Sequence, residues 1–233
     1  MLHGTCPCDG CSNQVRCGLR DLGRGLPGAP ALDIRIEEYR ADSEIPAVGG
    51  CLLAVKSGAV KTLCQDAQGQ SHVVGFSFPG ELIALEALAD AEPAGVSYKT
   101  SVSMTAVCRI RVHPETARQA SAQFCQRLNA EMASRIRANF HHRQIVADGA
   151  EVRLAHYLVA LVRAGQRQGR PVSATLPSIA RADIASYLHL RAETVSRTLA
   201  AFRQNGWVRG PLHRLEVVDL AALTALTHGL AAA

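Results

Sequence analysis

Residues 179–218 read IARADIASYLHLRAETVSRTLAAFRQNGWVRGPLHRLEVV, and this stretch decides the fold of the second half of the chain. Ile179 to Leu188 reads as a short helix whose apolar residues are Ile184, Tyr187 and Leu188. His189-Leu190-Arg191 breaks it. Ala192 to Asn205 reads as a second helix, stopped by Gly206 just past the cap, where glycine enters the left-handed region at no steric cost. Val195, Leu199 and Phe202 share one side of this helix, at i, i+4 and i+7, and are its expected core face. The opposite side carries Glu193, Ser196, Arg197 and Gln204, with Ala200 between. After Gly206, Trp207-Val208-Arg209 and Leu215-Glu216-Val217-Val218 flank Gly210-Pro211-Leu212-His213, which reads as a small hairpin. Helix, break, helix, glycine and hairpin in that order make a winged helix-turn-helix.

Such motifs set the first turns of their second helix against base edges in the major groove. The residues suit that use. Arg197 offers a fork to guanine O6 and N7, Glu193 accepts from cytosine N4, and Ser196 reaches a base edge or a thymine methyl. The plainer alternative is a helical pair that only packs. The occurrence of all these elements together in the most basic region argues against it. The net charge is +5, and between Glu151 and Asp219 there are ten Arg, no Lys and five acidic residues, while the rest of the chain is balanced. An excess confined to one third of the chain suits a polyanion partner.

Upstream the period changes twice. Glu115 to about Val146 lacks Pro and Gly, and Leu128, Met132, Ile136 and Phe140 recur at four-residue steps, so a long helix is predicted. Arg135, Asn139 and His142 interrupt a heptad seam, which makes pairing along it marginal. Ala150 to Leu161 reads as a further helix with Leu154, Leu158 and Leu161 on one stripe, followed by a polar loop from Gly165 to Ser173. Leu32 to His113 holds short strand-like runs, at Leu52–Val55, Val60–Cys64, His72–Phe78 and Thr100–Ile110, with turn residues between, which predicts an antiparallel roll or barrel. The expected fold is α+β: a cupin-like β-roll, a long dimerisation helix and a C-terminal winged helix-turn-helix. The expected segments are a cysteine arm and linker (1–27), the roll (28–114), the helix (115–147) and the DNA-binding domain (148–233).

With 48% hydrophobic and 19% charged residues the chain is ordinary globular material, and with 4% aromatics it offers no base-stacking platform. No apolar run approaches a membrane span and no signal-peptide core opens the chain, so a cytoplasmic protein is expected. A P-loop, a dinucleotide-binding glycine pattern and a serine triad are all lacking, so catalysis is not expected. Eight cysteines are present, four of them crowded at Cys6, Cys8, Cys11 and Cys17. Cys8-x2-Cys11-x5-Cys17 has ligand-like spacing, and Asp9-Gly10 bends the chain between the first two. Zinc and iron–sulfur sites both favour four ligands, so a fourth must come from elsewhere, Cys108 or Cys125. Cys51, Cys64 and Cys125 also read as small buried hydrophobes.

This order of elements resembles the FNR-type oxygen sensors of the CRP/FNR transcription-factor family. The resemblance covers nearly the whole chain. It is carried by the cysteine spacing, by Val55-Lys56-Ser57-Gly58-Ala59-Val60-Lys61 and Gly75-Phe76-Ser77-Phe78-Pro79-Gly80-Glu81-Leu82, and by Ala192-Glu193-Thr194-Val195-Ser196-Arg197. It implies a four-iron, four-sulfur (4Fe-4S) cluster held by Cys8, Cys11, Cys17 and Cys108, with Cys6 as an extra neighbour. It implies base reading by Glu193, Ser196 and Arg197. It further implies a homodimer on double-stranded DNA, at an inverted repeat with TTGAT-like half-sites, with RNA polymerase as a further partner. Oxygen would attack the cluster, weaken the dimer and so switch anaerobic gene expression. The chain departs from the pattern at Ala138, where the best-known sensors carry an acidic residue, so a larger dimer fraction in air is expected. Two alternatives remain on the same fold, a structural zinc site and another small effector. A cyclic nucleotide is disfavoured, because no Arg lies between Gly80-Glu81-Leu82 and Arg109 to meet its phosphate.

Overall fold

The computed structural model describes residues 10–13, 17–18, 34–89, 95–111, 122–167 and 169–228. Contacts divide the chain into two compact units, Met1–Arg137 and Ala138–Ala233. The first unit holds seven described strands: β1 (Ile34–Arg40), β2 (Cys51–Ser57), β3 (Val60–Gln65), β4 (Ser71–Ser77), β5 (Leu82–Ile83), β6 (Val96–Thr100) and β7 (Met104–Arg111). They form two antiparallel sheets, ordered β1-β7-β2-β5 and β4-β3-β6. The expected α+β class and antiparallel roll are what this half of the molecule has.

Strand β2 explains the arrangement. Cys51 to Val55 are all buried, with no alternation, because both faces of the strand are covered. Leu52 and Ala54 join Cys17, Leu82, Leu85 and Ile110 in one apolar cluster. Leu53 and Val55 join Ile45, Val60, Ile83, Tyr98 and Val107 in another. Each fully buried Leu or Val contributes about 1.5–3 kcal/mol. The β2–β3 turn needs its glycine: Gly58 has φ +84°, and a Cβ there would lie 2.5 Å from the Met104 carbonyl oxygen. Arg109 on β7 forks onto Glu37 of β1 at 2.8 and 2.9 Å, holding its carboxyl below the usual range.

Several boundaries differ from the sequence reading. Thr100–Ile110 is not one run: Ser101-Val102-Ser103 separates β6 from β7, and the two strands lie in different sheets. β1 was not expected. Cys125 is exposed and Cys64 half-buried, so of the three cysteines read as buried hydrophobes only Cys51 is one.

The long helix α1 is described over Ala122–Ile145, and the expected first turns lie outside the described residues. Its apolar residues are not all covered: Met132, Ile136 and Phe140 are 37%, 55% and 63% exposed. The second unit continues with α2 (Ala150–Arg167), α3 (Arg181–Tyr187), α4 (Ala192–Gln204), the two-stranded β8 (Val208–Arg209) and β9 (Glu216–Val217), and α5 (Leu220–His228). Helix α2 runs through Gly165 to Arg167, beyond the expected Leu161, because Val162 and Ala164 continue its buried face. α3 is shorter than expected by two residues at its start, and α5 was not expected. Among the described residues no helix is long and apolar enough to cross a membrane.

Candidate cysteine site and nucleic-acid interface

Cys108 sits on β7 with Ala54 of β2 on one side and Ile36 of β1 on the other. Cys17 is buried in the cluster against which Cys108 packs. Burial pushes the Cys108 thiol up to about 11, and the nearby Cys17 and Cys11 thiols push the same way, while the Lys56 ammonium partly offsets them. Cys17 and Cys108, far apart in sequence, therefore meet at one apolar cluster of the roll. Cys8 and Cys6 lie outside the described residues.

Two backbone contacts bring the arm there. Gly18 N–H donates to the Gly80 carbonyl at 3.3 Å. Its Cα lies so close to the sheet that a Cβ would come within 3.1 Å of Leu82 Cγ. Asn13 Nδ2 donates to the Lys56 carbonyl at 2.6 Å. That carbonyl is available because the β2–β7 register shifts between Val55 and Ser57, and a bulged residue leaves the ladder. Among the described residues no three His, Cys, Asp or Glu side chains come close enough together to hold a metal ion. In kind, the soft thiols of Cys17 and Cys108 suit a thiolate-ligated group. The same donors suit zinc.

In the second unit, Val195, Leu199 and Phe202 of α4 are buried, as their spacing requires. Glu193 and Arg197 are exposed in its first turns. Ser196 is half-buried, and its hydroxyl donates to the Ala192 carbonyl at 2.8 Å, leaving its lone pairs as its means of meeting a base. Gly206, at φ +73°, ends the helix as expected. The wing is tied back to α4: Arg203 Nε donates to the Gly210 carbonyl at 2.9 Å, and the Trp207 and Phe202 rings meet at 5.3 Å. Arg209 pairs with Glu216 across the two strands at 2.6 Å.

Sequence reasoning missed two residues that organise these sites, Asn13 and Arg153. Arg153 Nε donates to the Asp148 carbonyl at 2.7 Å, and Nη1 reaches the carbonyls of Leu188 and His189 at 3.0 and 3.2 Å. Side chains that act on main-chain carbonyls carry no partner signal in a sequence.

Residues 152–226 match the Crp-like helix-turn-helix domain. The chain is 30% identical over 182 residues to the transcriptional activator protein anr of Pseudomonas aeruginosa, covering 77% of this chain and 74% of that protein. The chain belongs to the CRP/FNR family of transcription regulators. It is also 29% identical to the fumarate and nitrate reduction regulatory protein of Salmonella typhi, over 77% of this chain and 73% of that one. Among solved structures it resembles FixK2 from Bradyrhizobium japonicum, with a TM-score of 0.71 and 25% identity over 84% of this chain and 98% of that chain. Like these CRP/FNR family members, the protein is a DNA-binding transcription regulator and not an enzyme. The roll, long helix and winged helix-turn-helix are the parts of the family fold.

Proposed function

We propose that this CRP/FNR regulator senses oxygen through a 4Fe-4S cluster held by Cys8, Cys11, Cys17 and Cys108. The observation that carries the reading is the packing of Cys108 against the cluster that buries Cys17, residues far apart in sequence. When bound, such a cluster supplies an oxygen-labile cross-link between arm and roll. Asn13 and Gly18 hold the arm's chain against the sheet, and Leu82 and Ile110 exclude water from the Cys17 side. Two copies pair through the exposed Met132, Ile136 and Phe140 of α1. A marginal seam of this kind is tipped by a few kcal/mol. The paired regulator reads an inverted repeat with TTGAT-like half-sites through Glu193, Ser196 and Arg197, in the cytoplasm, where it meets RNA polymerase and switches anaerobic genes.

The test is an absorption spectrum with iron and sulfide analysis on protein purified without air, before and after oxygen. A brown protein whose absorption bleaches in air, and which loses it when Cys8, Cys11, Cys17 or Cys108 is replaced by Ser, supports the proposal. A colourless, zinc-containing or metal-free protein that pairs and binds DNA normally refutes it. An unaffected Cys108→Ser variant transfers the fourth ligand elsewhere.

A further inference from the structure

Helix α3 ends in an unusual turn. His189 has φ +51°, a left-handed conformation that L side chains rarely adopt, and Leu190 and Arg191 then lead directly into α4. The last carbonyls of a helix lack partners within it and carry the negative end of its dipole. Here the Leu188 and His189 carbonyls both accept from Arg153 Nη1, a charged donor on a different helix, α2. The same guanidinium donates from Nε to Asp148, in the turn where α1 gives way to α2. One planar fork therefore joins three main-chain carbonyls from two turns. A second contact draws the same parts together: the His142 ring, in the last turn of α1, stacks on Tyr187 of α3 at 4.1 Å and 19°.

We infer that Arg153 is a positioning residue for operator recognition, which fixes the turn before the reading helix to the junction that ends the long helix. Base readout depends on the angle at which α4 enters the groove, because hydrogen bonds to base edges are directional. Attraction to phosphates is long-ranged and tolerates a few degrees of error. The turn at Leu188–Arg191 sets that angle, and Arg153 holds its carbonyls. Arg153 donates from α2 to the turn that follows α3, so its part in readout runs through that turn. Lysine keeps the charge but cannot hold the rigid fork.

The experiment uses full-length protein prepared without air, and the duplex that the wild-type protein selects from a randomised pool. Affinity for that duplex and for an unrelated one is compared for wild type, Arg153→Gln, Arg153→Lys and Val162→Ala. Val162 is buried on α2 and serves as a control that loosens the domain without touching the turn. Arg153→Gln is expected to weaken selected-duplex binding about tenfold and to leave the unrelated duplex nearly unchanged, with Arg153→Lys intermediate. Val162→Ala is expected to lower the thermal midpoint while keeping the ratio of the two affinities. The inference is overturned if Arg153→Gln keeps that ratio, or if the Val162→Ala control loses it equally. Should Arg153→Gln fail to fold, Arg153→Lys decides, and a wild-type ratio there overturns the inference as well.

Discussion

Arg197→Ala gives the sharpest test of how the regulator reads DNA. The side chain is exposed in the first turns of α4, on the face opposite the buried Val195, Leu199 and Phe202. Truncating it removes no core packing, so the fold should lose less than about 0.5 kcal/mol. On DNA the loss is larger. A bidentate contact to guanine carries about 1–3 kcal/mol of discrimination at its base pair. A two-fold dimer reading an inverted repeat, as proposed, would make the contact twice, so the variant should lose about 2–6 kcal/mol, at least about thirtyfold in affinity. Fluorescence anisotropy at one fixed salt concentration measures this, because phosphate contacts change steeply with salt. The decisive comparison is a cycle. In wild type, replacing the contacted G·C pair should cost affinity; in Arg197→Ala, the same replacement should cost almost nothing. Arg197→Lys should fall between, since it retains a donor but not the fork. Equal weakening on matched and mismatched duplexes would refute the reasoning and make Arg197 a phosphate contact.

Further outcomes follow from the same structure. Hydrogen bonding from Arg109 holds the Glu37 carboxyl below its ordinary range, so the stability it contributes is present above that range and fades as pH falls through the lowered value. Glu37→Gln should therefore be less stable than wild type by about 1 kcal/mol at neutral pH, with the deficit shrinking below about pH 4 in urea titrations; a deficit that stays constant into acid contradicts this. Asn13→Ala removes the 2.6 Å bond to the Lys56 carbonyl and should speed alkylation of the half-buried Cys11 in metal-free protein by a few-fold while leaving Cys17 protected, and Asn13→Asp, with no donor to offer, should behave like Ala. Gly210 has φ +82°, and a Cβ there would stand 2.4 Å from the Arg214 carbonyl oxygen, so Gly210→Ala should cost about 1–3 kcal/mol and loosen the wing, read as a lowered thermal midpoint and weaker DNA binding.

The second half of the chain was legible because its signals agree. In α4 the apolar spacing, the break before it and Gly206 after it all specify the same helix. The roll was harder. The uniform burial of Cys51–Val55 announces a covered strand without saying which residue faces which cluster. β1 carries Arg35, Glu37, Glu38 and Arg40, and its Ile36 is 41% exposed, so its alternation is weak. Gly165 read as the start of a polar loop, yet the apolar face of α2 outweighs a cost of about 1 kcal/mol for an interior glycine. For the site, spacing marked Cys8, Cys11 and Cys17, and resemblance supplied Cys108. The anchors Asn13 and Arg153 stayed hidden, because a carbonyl freed by a bulge or a helix end is a property of the folded backbone.

The two anchorages of the arm differ in what they depend on, and this bears on how a signal would leave the proposed cluster. Gly18 packs against Leu82, and Cys17 is buried among Leu52, Leu82 and Ile110. That burial is apolar, and a thiol serves it as well as a thiolate. The stretch around Cys11 has less to hold it: Cys11 is only half-buried, and the Asn13 bond is its described tie to the sheet. Loss of the proposed cluster would therefore leave the Cys17–Gly18 anchorage in place, while the stretch around Cys11 would keep the Asn13 bond as its described tie. A switch confined to that stretch costs little conformational entropy in either direction, a few residues at about 1–2 kcal/mol each. That is the scale on which the proposed α1 seam would be tipped, and it favours a local release around Cys11 as the event that would reach the dimer.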